Sequence, residues 1–330
     1  MASSSVYAEI FDELLDLSLE ELAEVSLVSS IALGQHHTHP KGEFMVGYTF
    51  QTMEMDGNRT NTRDISTADV FMQGYMVAPT NMQMRMHMIE FMYGVTDDLA
   101  IMTMFPYREL SMDHLTMSGG TFSSSSSGIG DTTVSLMYTF FQRYPHRAHL
   151  SFGMNLPTGS IDERGSTPMA ADQRLPYSMQ LGSGTYDPLL GAAYIGALGS
   201  WSWGLDGGWL IRTETNKHGY SLGTKYEANA WVAKRFTDVF SSFVRLEAFT
   251  QEDIDGADPE LNAATVPTAD PTLRGGDNAR LKIGASFSIS EGALRGSRFL
   301  VEFGLPVYRR LRGPQLEFDW SVAIGFQWAF

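Results

Sequence analysis

Thioether and imidazole side chains gather in the first third of the sequence. Met84, Met86 and Met88 alternate along one run, Met53 and Met55 flank Glu54, and Met102 and Met104 follow on the next apolar run. His36, His37 and His39 stand together just ahead of them. Soft sulfur and borderline nitrogen donors suit copper and, by extension, silver. On a strand, i, i+2 spacing sets successive sulfurs about 7 Å apart on one face. That geometry fits a ladder of weak, exchangeable sites such as metal passage requires. These residues are therefore the candidate metal ligands, with copper as the implied ion. The plainer reading is that methionine is an ordinary apolar filler and that the histidines form a solvated linker.

A second set is ionic. Lys225, Glu227, Arg245, Glu247, Arg280, Lys282, Glu302, Glu317 and Asp319 alternate with apolar residues, so apolar rows on one face of each strand turn these charges to the other. If the apolar rows face lipid, the charges line a lumen and opposite signs on neighbouring strands form a salt-bridge ladder. Catalytic sets are harder to find. With no cysteine, thiol nucleophiles, zinc–thiolate sites and disulfides are excluded. Gly182-Ser183-Gly184 lacks the spacing of a nucleophile elbow, and nothing singles out Asp187 or His218 as partners. The chain reads as non-enzymatic. A net charge of −15 argues against nucleic acid, whose phosphates need a basic surface.

The elements that must position these residues are strands. No run of eighteen apolar residues exists to make a membrane-spanning helix. From Leu316 to Phe330 every even position is apolar (Leu316, Phe318, Trp320, Val322, Ile324, Phe326, Trp328 and Phe330), while the odd positions are polar or small. A tilted strand crossing a bilayer needs about ten residues of this kind. The terminal Phe330 resembles the aromatic ending of outer-membrane barrels. Similar rows recur at Phe299, Val301, Phe303 and Leu305, and at Leu281, Ile283, Ala285 and Phe287.

Strands are predicted over 42–54, 81–94, 98–112, 128–142, 146–157, 185–198, 200–214, 221–235, 238–252, 278–291, 297–309 and 315–330. Short turns alternate with longer loops along this series, as in membrane barrels with short periplasmic turns and long extracellular loops. The expected fold is all-β: a transmembrane antiparallel β-barrel of about 12 strands over residues 42–330, in the bacterial outer membrane, in contact with its lipid and lipopolysaccharide.

Residues 1–41 form a separate segment. Ile10, Phe11, Leu14, Leu15, Leu17, Leu22 and Val25 lie at roughly helical spacing among acidic residues. This predicts a short periplasmic or plug-like helix, able to recruit a periplasmic protein. No basic n-region and apolar h-region precede it, so the sequence is read as a mature or a trimmed form. The acid-rich stretch 252–277 either holds calcium or magnesium or is a solvated loop.

Four motifs suggest a family. Asn155-Leu156-Pro157-Thr158-Gly159, Gly182-Ser183-Gly184-Thr185-Tyr186-Asp187, Val301-Glu302-Phe303-Gly304-Leu305-Pro306-Val307-Tyr308 and Gly313-Pro314-Gln315-Leu316-Glu317 resemble the MetA-pathway phenol-degradation family over about residues 43–330. The resemblance implies an outer-membrane barrel that moves small molecules, hydrophobic aromatics among them, and brings no catalytic residues. The methionine- and histidine-rich third looks like a copper-associated branch. Three functions follow as expectations. The first is passage of a small solute, copper preferred. The second is uptake of hydrophobic or aromatic compounds, helped by ladder kinks at Pro157, Pro188 or Pro306. The third is a structural barrel with a filled lumen.

Overall fold

The computed structural model describes residues 41–289 and 292–330. The helix expected within 1–41 and the cluster of His36, His37 and His39 lie outside the described residues.

Period-two patterning produces long antiparallel strands. In chain order these are β1 (Phe44–Asn61), β2 (Val77–Gly94), β3 (Leu99–Thr116), β4 (Thr132–Arg143), β5 (His146–Leu156) and β6 (Asp187–Leu198). Then come β7 (Trp201–Leu210), β8 (Lys225–Arg235), β9 (Phe240–Gln251), β10 (Gly276–Ile289) and one continuous ladder element, Ser297–Ala329. Each strand pairs with its sequence neighbour, and Ser297–Ala329 closes the ring by pairing with β1. Every pairing in the ring is antiparallel, and only an even number of passes can close on that condition.

The last element satisfies parity by folding back. Gly313 takes φ 73°, the Phe299 and Phe326 rings lie 4.9 Å apart, and Arg309 reaches Glu317 at 3.1 Å. It therefore supplies two passes, β11 (297–311) and β12 (314–329). The eleven ladder elements of the closed ring thus make a barrel of twelve passes, with no open edge within the ring itself.

Burial alternates along each strand. Ile89, Phe91, Ile101, Leu136, Ile283, Val301, Phe303 and Ile324 are exposed on the outer surface. A continuous outward belt of this kind is stable only against hydrocarbon. Phe44, Phe330 and the short turns 94–99, 143–146, 198–201 and 235–240 share one end, and the long loops share the other. Strands β1 to β3 run beyond their predicted limits on the loop side, so their ladders rise past the belt. There Thr121–Ile129 continues along the edge of β3 above β4. A six-residue helix, Thr67–Met72, capped by a Ser66–Asp69 box, ends the first loop.

One part of the inner row departs from the sequence pattern. The β1–β12 register slips between Glu54 and Met55, which face Trp320 and Phe318, so Asp319 is an extra residue at a bulge. Phe318 is buried, and Leu316 packs on the inner apolar cluster. Asp319 is exposed instead of lumenal. The bulge reverses the inside–outside phase while the even-numbered apolar pattern runs on through it, so alternation alone puts Asp319 on the wrong row.

The hairpin between β11 and β12 depends on a left-handed residue at Gly313, where a Cβ would also overlap the Leu273 side chain. Gly313→Ala should therefore lower stability by roughly 1–2 kcal/mol from the backbone term alone, more with the overlap. Heat-modifiable mobility on unboiled gels reads this as a lower conversion temperature. An unchanged conversion temperature would contradict the twelve-pass reading of the C-terminal element.

Candidate functional site: the lumen and its outer mouth

Methionine supplies more than half of the inner wall of β1 to β3, with Glu90, Gln51 and Arg108 as polar members of the same row. Register places Met55, Met82 and Met112 side by side on three strands, with Met53 beside Met84 on the next rung. Met45, Met92 and Met102 form a rung nearer the short turns, and Met137 joins their cluster. Met86 lies between Gln51 and Arg108, Met88 between Thr49 and Pro106, and Met104 beside Glu90. The sequence candidates Met53, Met55, Met84, Met86, Met88, Met102 and Met104 thus occupy the inward row of three adjacent strands. Met53, Met88 and Met102 are buried, Met102 with no exposed surface. Among the described residues no three His, Asp or Glu side chains gather as a metal-holding group. Arg85 and His87 take the outer face, where the Tyr48 hydroxyl shares a 2.8 Å hydrogen bond with His87 Nδ1.

The opposite wall is ionic. Arg245 pairs with Glu302, Lys282 with Glu247, Arg280 with Glu247 at 3.3 Å, and Lys282 reaches Glu302 at 3.7 Å. Lys225 meets Glu227 at 2.7 Å. Glu317 is not part of that wall: beyond the bulge, on the seam between β12 and β1, it is held between Arg59 and Arg309.

The loop 157–186 turns inward between these walls. Its two ends are fastened by one carboxylate that the sequence reading missed. Asp131 Oδ1 accepts from the Gly159 N–H at 3.0 Å, and Oδ2 from the Ser183 N–H at 2.8 Å. The backbones touch there, since a Cβ on Gly159 would lie 2.7 Å from the Gly182 Cα. Only glycine permits that approach. Fastened so, the loop buries Leu175, Met179 and Leu181 against Met82, Leu110 and Met112.

Two cavities result. The outer one, about 460 Å³, is lined by Val77, Met117, Phe122, Leu175, Leu261 and Val266, with His114 stacked on Phe122 at 4.6 Å. The inner one, about 190 Å³, is lined by Met55, Met82, Met84, Met112, Gln180, Gln315 and two arginines, Arg108 and Arg274. Leu175 lines the outer cavity and packs against Met82 and Met112 of the inner one, and the adjacent residues Thr268 and Ala269 line the inner and the outer cavity respectively.

Ion pairs lace the loops over the mouth. Arg174 binds Asp162 at 3.0 Å, Glu260 at 2.9 Å and Asp258 at 3.5 Å. Arg164 binds Glu260 at 2.7 Å and Asp172 at 3.1 Å. Asp162 also takes Lys217 and, at 2.7 Å, His218. The acids of 252–277 are therefore partly engaged by arginines from other loops, not left as a solvated run. Asp187 and His218 do not meet: Asp187 pairs with Arg212. Ser183 is buried, and its hydroxyl donates to the Thr185 carbonyl at 3.2 Å.

The profile of a family described as "Putative MetA-pathway of phenol degradation" matches residues 72–293. No curated protein matches the chain by sequence. Among solved structures, an outer membrane channel from Pseudomonas putida F1 superposes with a TM-score of 0.61 at 14% identity, covering 89% of this chain and 97% of the other. The translocator domain of the autotransporter NalP from Neisseria meningitidis gives 0.47 at 11% identity, covering 99% of each chain. A FadL homologue from Pseudomonas aeruginosa gives 0.41 at 9% identity, covering 87% of this chain and 89% of the other.

The loop lacing has a defined acid response. Hydrogen bonds from Lys217 and Arg174 hold the Asp162 carboxyl below the usual carboxylate range, and Arg164 and Arg174 do the same for Glu260. Lowered folded values mean the clasp is in place above about pH 4 and is lost as pH falls through those lowered values. Hydrogen exchange over 157–186, corrected for intrinsic rate, should stay slow from pH 7 to about 4 and rise below. Arg174→Gln, which unhooks three acids at once, should raise it at pH 7. A rise in the parent protein between pH 5 and 6 would instead implicate a different group.

Proposed function

The chain belongs to the MetA-pathway phenol-degradation family of outer-membrane barrels, and from that premise we propose that it is a channel admitting small apolar solutes, aromatic rings included, from outside the cell. The observation that carries this reading is the outer cavity. Its volume of about 460 Å³ lies in the range of about 300–1,000 Å³ common to small-molecule sites, and its lining surface is mainly apolar, with polar groups such as His114, Gln173, Arg174 and Asn262 among it. It lies at the end that carries the long loops, and its wall residue Leu175 packs in one cluster with Met82 and Met112, which line the inner cavity.

Beyond that cluster the methionine wall continues down β1 to β3. Thioethers are polarizable and pack well against aromatic edges, worth about 0.3–1.5 kcal/mol per contact. A flexible methionine wall can let an apolar molecule pass by repacking, without offering it a deep trap. The methionine row read from the sequence as a copper ladder serves here as the apolar side of the route. The outward belt contacts lipid, and lipopolysaccharide surrounds the taller outer walls.

A charge placed in the outer cavity tests the proposal. Val266→Glu buries a carboxylate among apolar side chains, which costs several kilocalories or forces the cavity to hydrate. Binding of the neutral fluorophore N-phenylnaphthylamine to the purified protein should weaken at least tenfold, and cellular uptake of toluene should fall in parallel. Val266→Leu should leave both close to the parent. Unaltered fluorophore binding in Val266→Glu would remove the outer cavity from the route.

A further inference from the structure

The inner cavity contains something an apolar route does not need. Arg108, from β3, and Arg274, from the loop before β10, both line it. Arg108 donates from Nη1 to the Leu181 carbonyl at 3.2 Å, and its Nε is buried without a partner. Among the described residues the Arg274 side chain has no hydrogen bond or ion pair. Burial pushes its guanidinium down to about 10.

The nearby acids are committed elsewhere. Asp131 holds the Gly159 and Ser183 N–H groups. Asp253 accepts from the backbone N–H groups of Arg274 and Gly275 at 3.1 and 2.6 Å and pairs with Arg312 at 2.7 Å. Other arginines inside the barrel and its mouth are paired: Arg245 with Glu302, Arg280 with Glu247, and Arg174 with three acids. In a chain of net charge −15, acids are in surplus, yet among the described residues neither guanidinium of this cavity makes a direct ion pair, Asp131 and Asp253 acting on Arg108 and Arg274 only through space. A desolvated guanidinium is costly unless an anion joins it, and its fork matches a carboxylate with two parallel hydrogen bonds.

We infer that the inner cavity binds small monocarboxylates with an apolar body, Arg108 and Arg274 clamping the carboxylate while Met55, Met82, Met84 and Met112 pack against the body. This deepens, and rests on, the proposal that the barrel admits apolar solutes through its outer mouth. The cavity's volume of about 190 Å³ is below the range of about 300–1,000 Å³ typical of drug-sized ligands, which restricts the occupant to one small molecule. Acids of this class, drawn in through the outer cavity, would shed water against the methionines and exchange it for the two guanidinium groups.

Benzoate and its neutral isostere benzamide separate charge recognition from apolar fit. By calorimetry on the full chain in nonionic detergent at pH 7, benzoate should bind at least tenfold more tightly than benzamide. Arg108→Gln and Arg274→Gln should each weaken benzoate at least tenfold and leave benzamide unchanged, while Arg274→Lys, which keeps the charge without the fork, should fall between. Heat-modifiable mobility and N-phenylnaphthylamine binding report that each variant is folded with an intact outer cavity. Equal affinity for the two probes, no benzoate binding, or benzoate binding unaltered in both glutamine variants overturns the inference. With fluorophore binding retained, each of those results leaves the channel reading standing. Absence of fluorophore binding by the parent protein overturns that reading instead.

Discussion

One carboxylate governs the interior. Asp131 sits just ahead of β4 and gathers the two ends of the 157–186 loop by a backbone N–H from each. A charge-assisted bond of this kind is worth about 1.5–3 kcal/mol, and here two of them fix a single crossing point. Glycines at 159 and 182 let the chains touch there. Because the crossing is fixed, the loop projects into the bore instead of spreading over the rim, and Leu175, Met179 and Leu181 reach the methionine wall. Both cavities are spaces left around that projection. Without it a barrel of twelve passes would have an open upper half.

The bore is filled by two chemistries that solve the same steric problem differently. On β1 to β3, flexible thioethers occupy the interior without strict directional demands. On β9 to β11, Arg245, Glu247, Lys282 and Glu302 interlock as alternating charges. Such pairs gain little net stability once desolvation is counted, but each member left alone would be far worse. The ionic side is therefore rigid in composition, since one substitution strands a partner. The methionine side tolerates rearrangement. A solute taking the proposed route would meet a yielding wall and a fixed one.

Much of this was legible in the sequence because it follows from a period of two. The strands, the sorting of short and long connections, and the inward row of Arg245, Glu247, Lys282 and Glu302 all follow from which side of a pleat a residue occupies. The pattern misled where the phase changed without a change in composition. Leu316 and Phe318 continue the apolar alternation across the bulge at Asp319, so nothing local marks the reversal. Pairings between distant loops were also hidden. Asp131 is one acid among 38, and its role depends on two glycine-containing turns that approach only in the fold. The arginines that engage Asp258 and Glu260 come from more than eighty residues upstream. The unpaired state of Arg108 and Arg274 is a property of the cavity and has no local pattern.

The closing seam has a kinetic consequence. Phe44 and Phe330 exchange both backbone hydrogen bonds at 2.9 Å, so the ladder that completes the cylinder joins the first described strand to the last. Its contacts span nearly the whole barrel sequence, and loop-closure entropy is charged most heavily to contacts of that separation. Without this pairing the sheet has two open edges. Only the pairing of the last strand with the first removes both edges at once, so this seam decides whether the sheet is a cylinder or an open sheet with two unpaired edges.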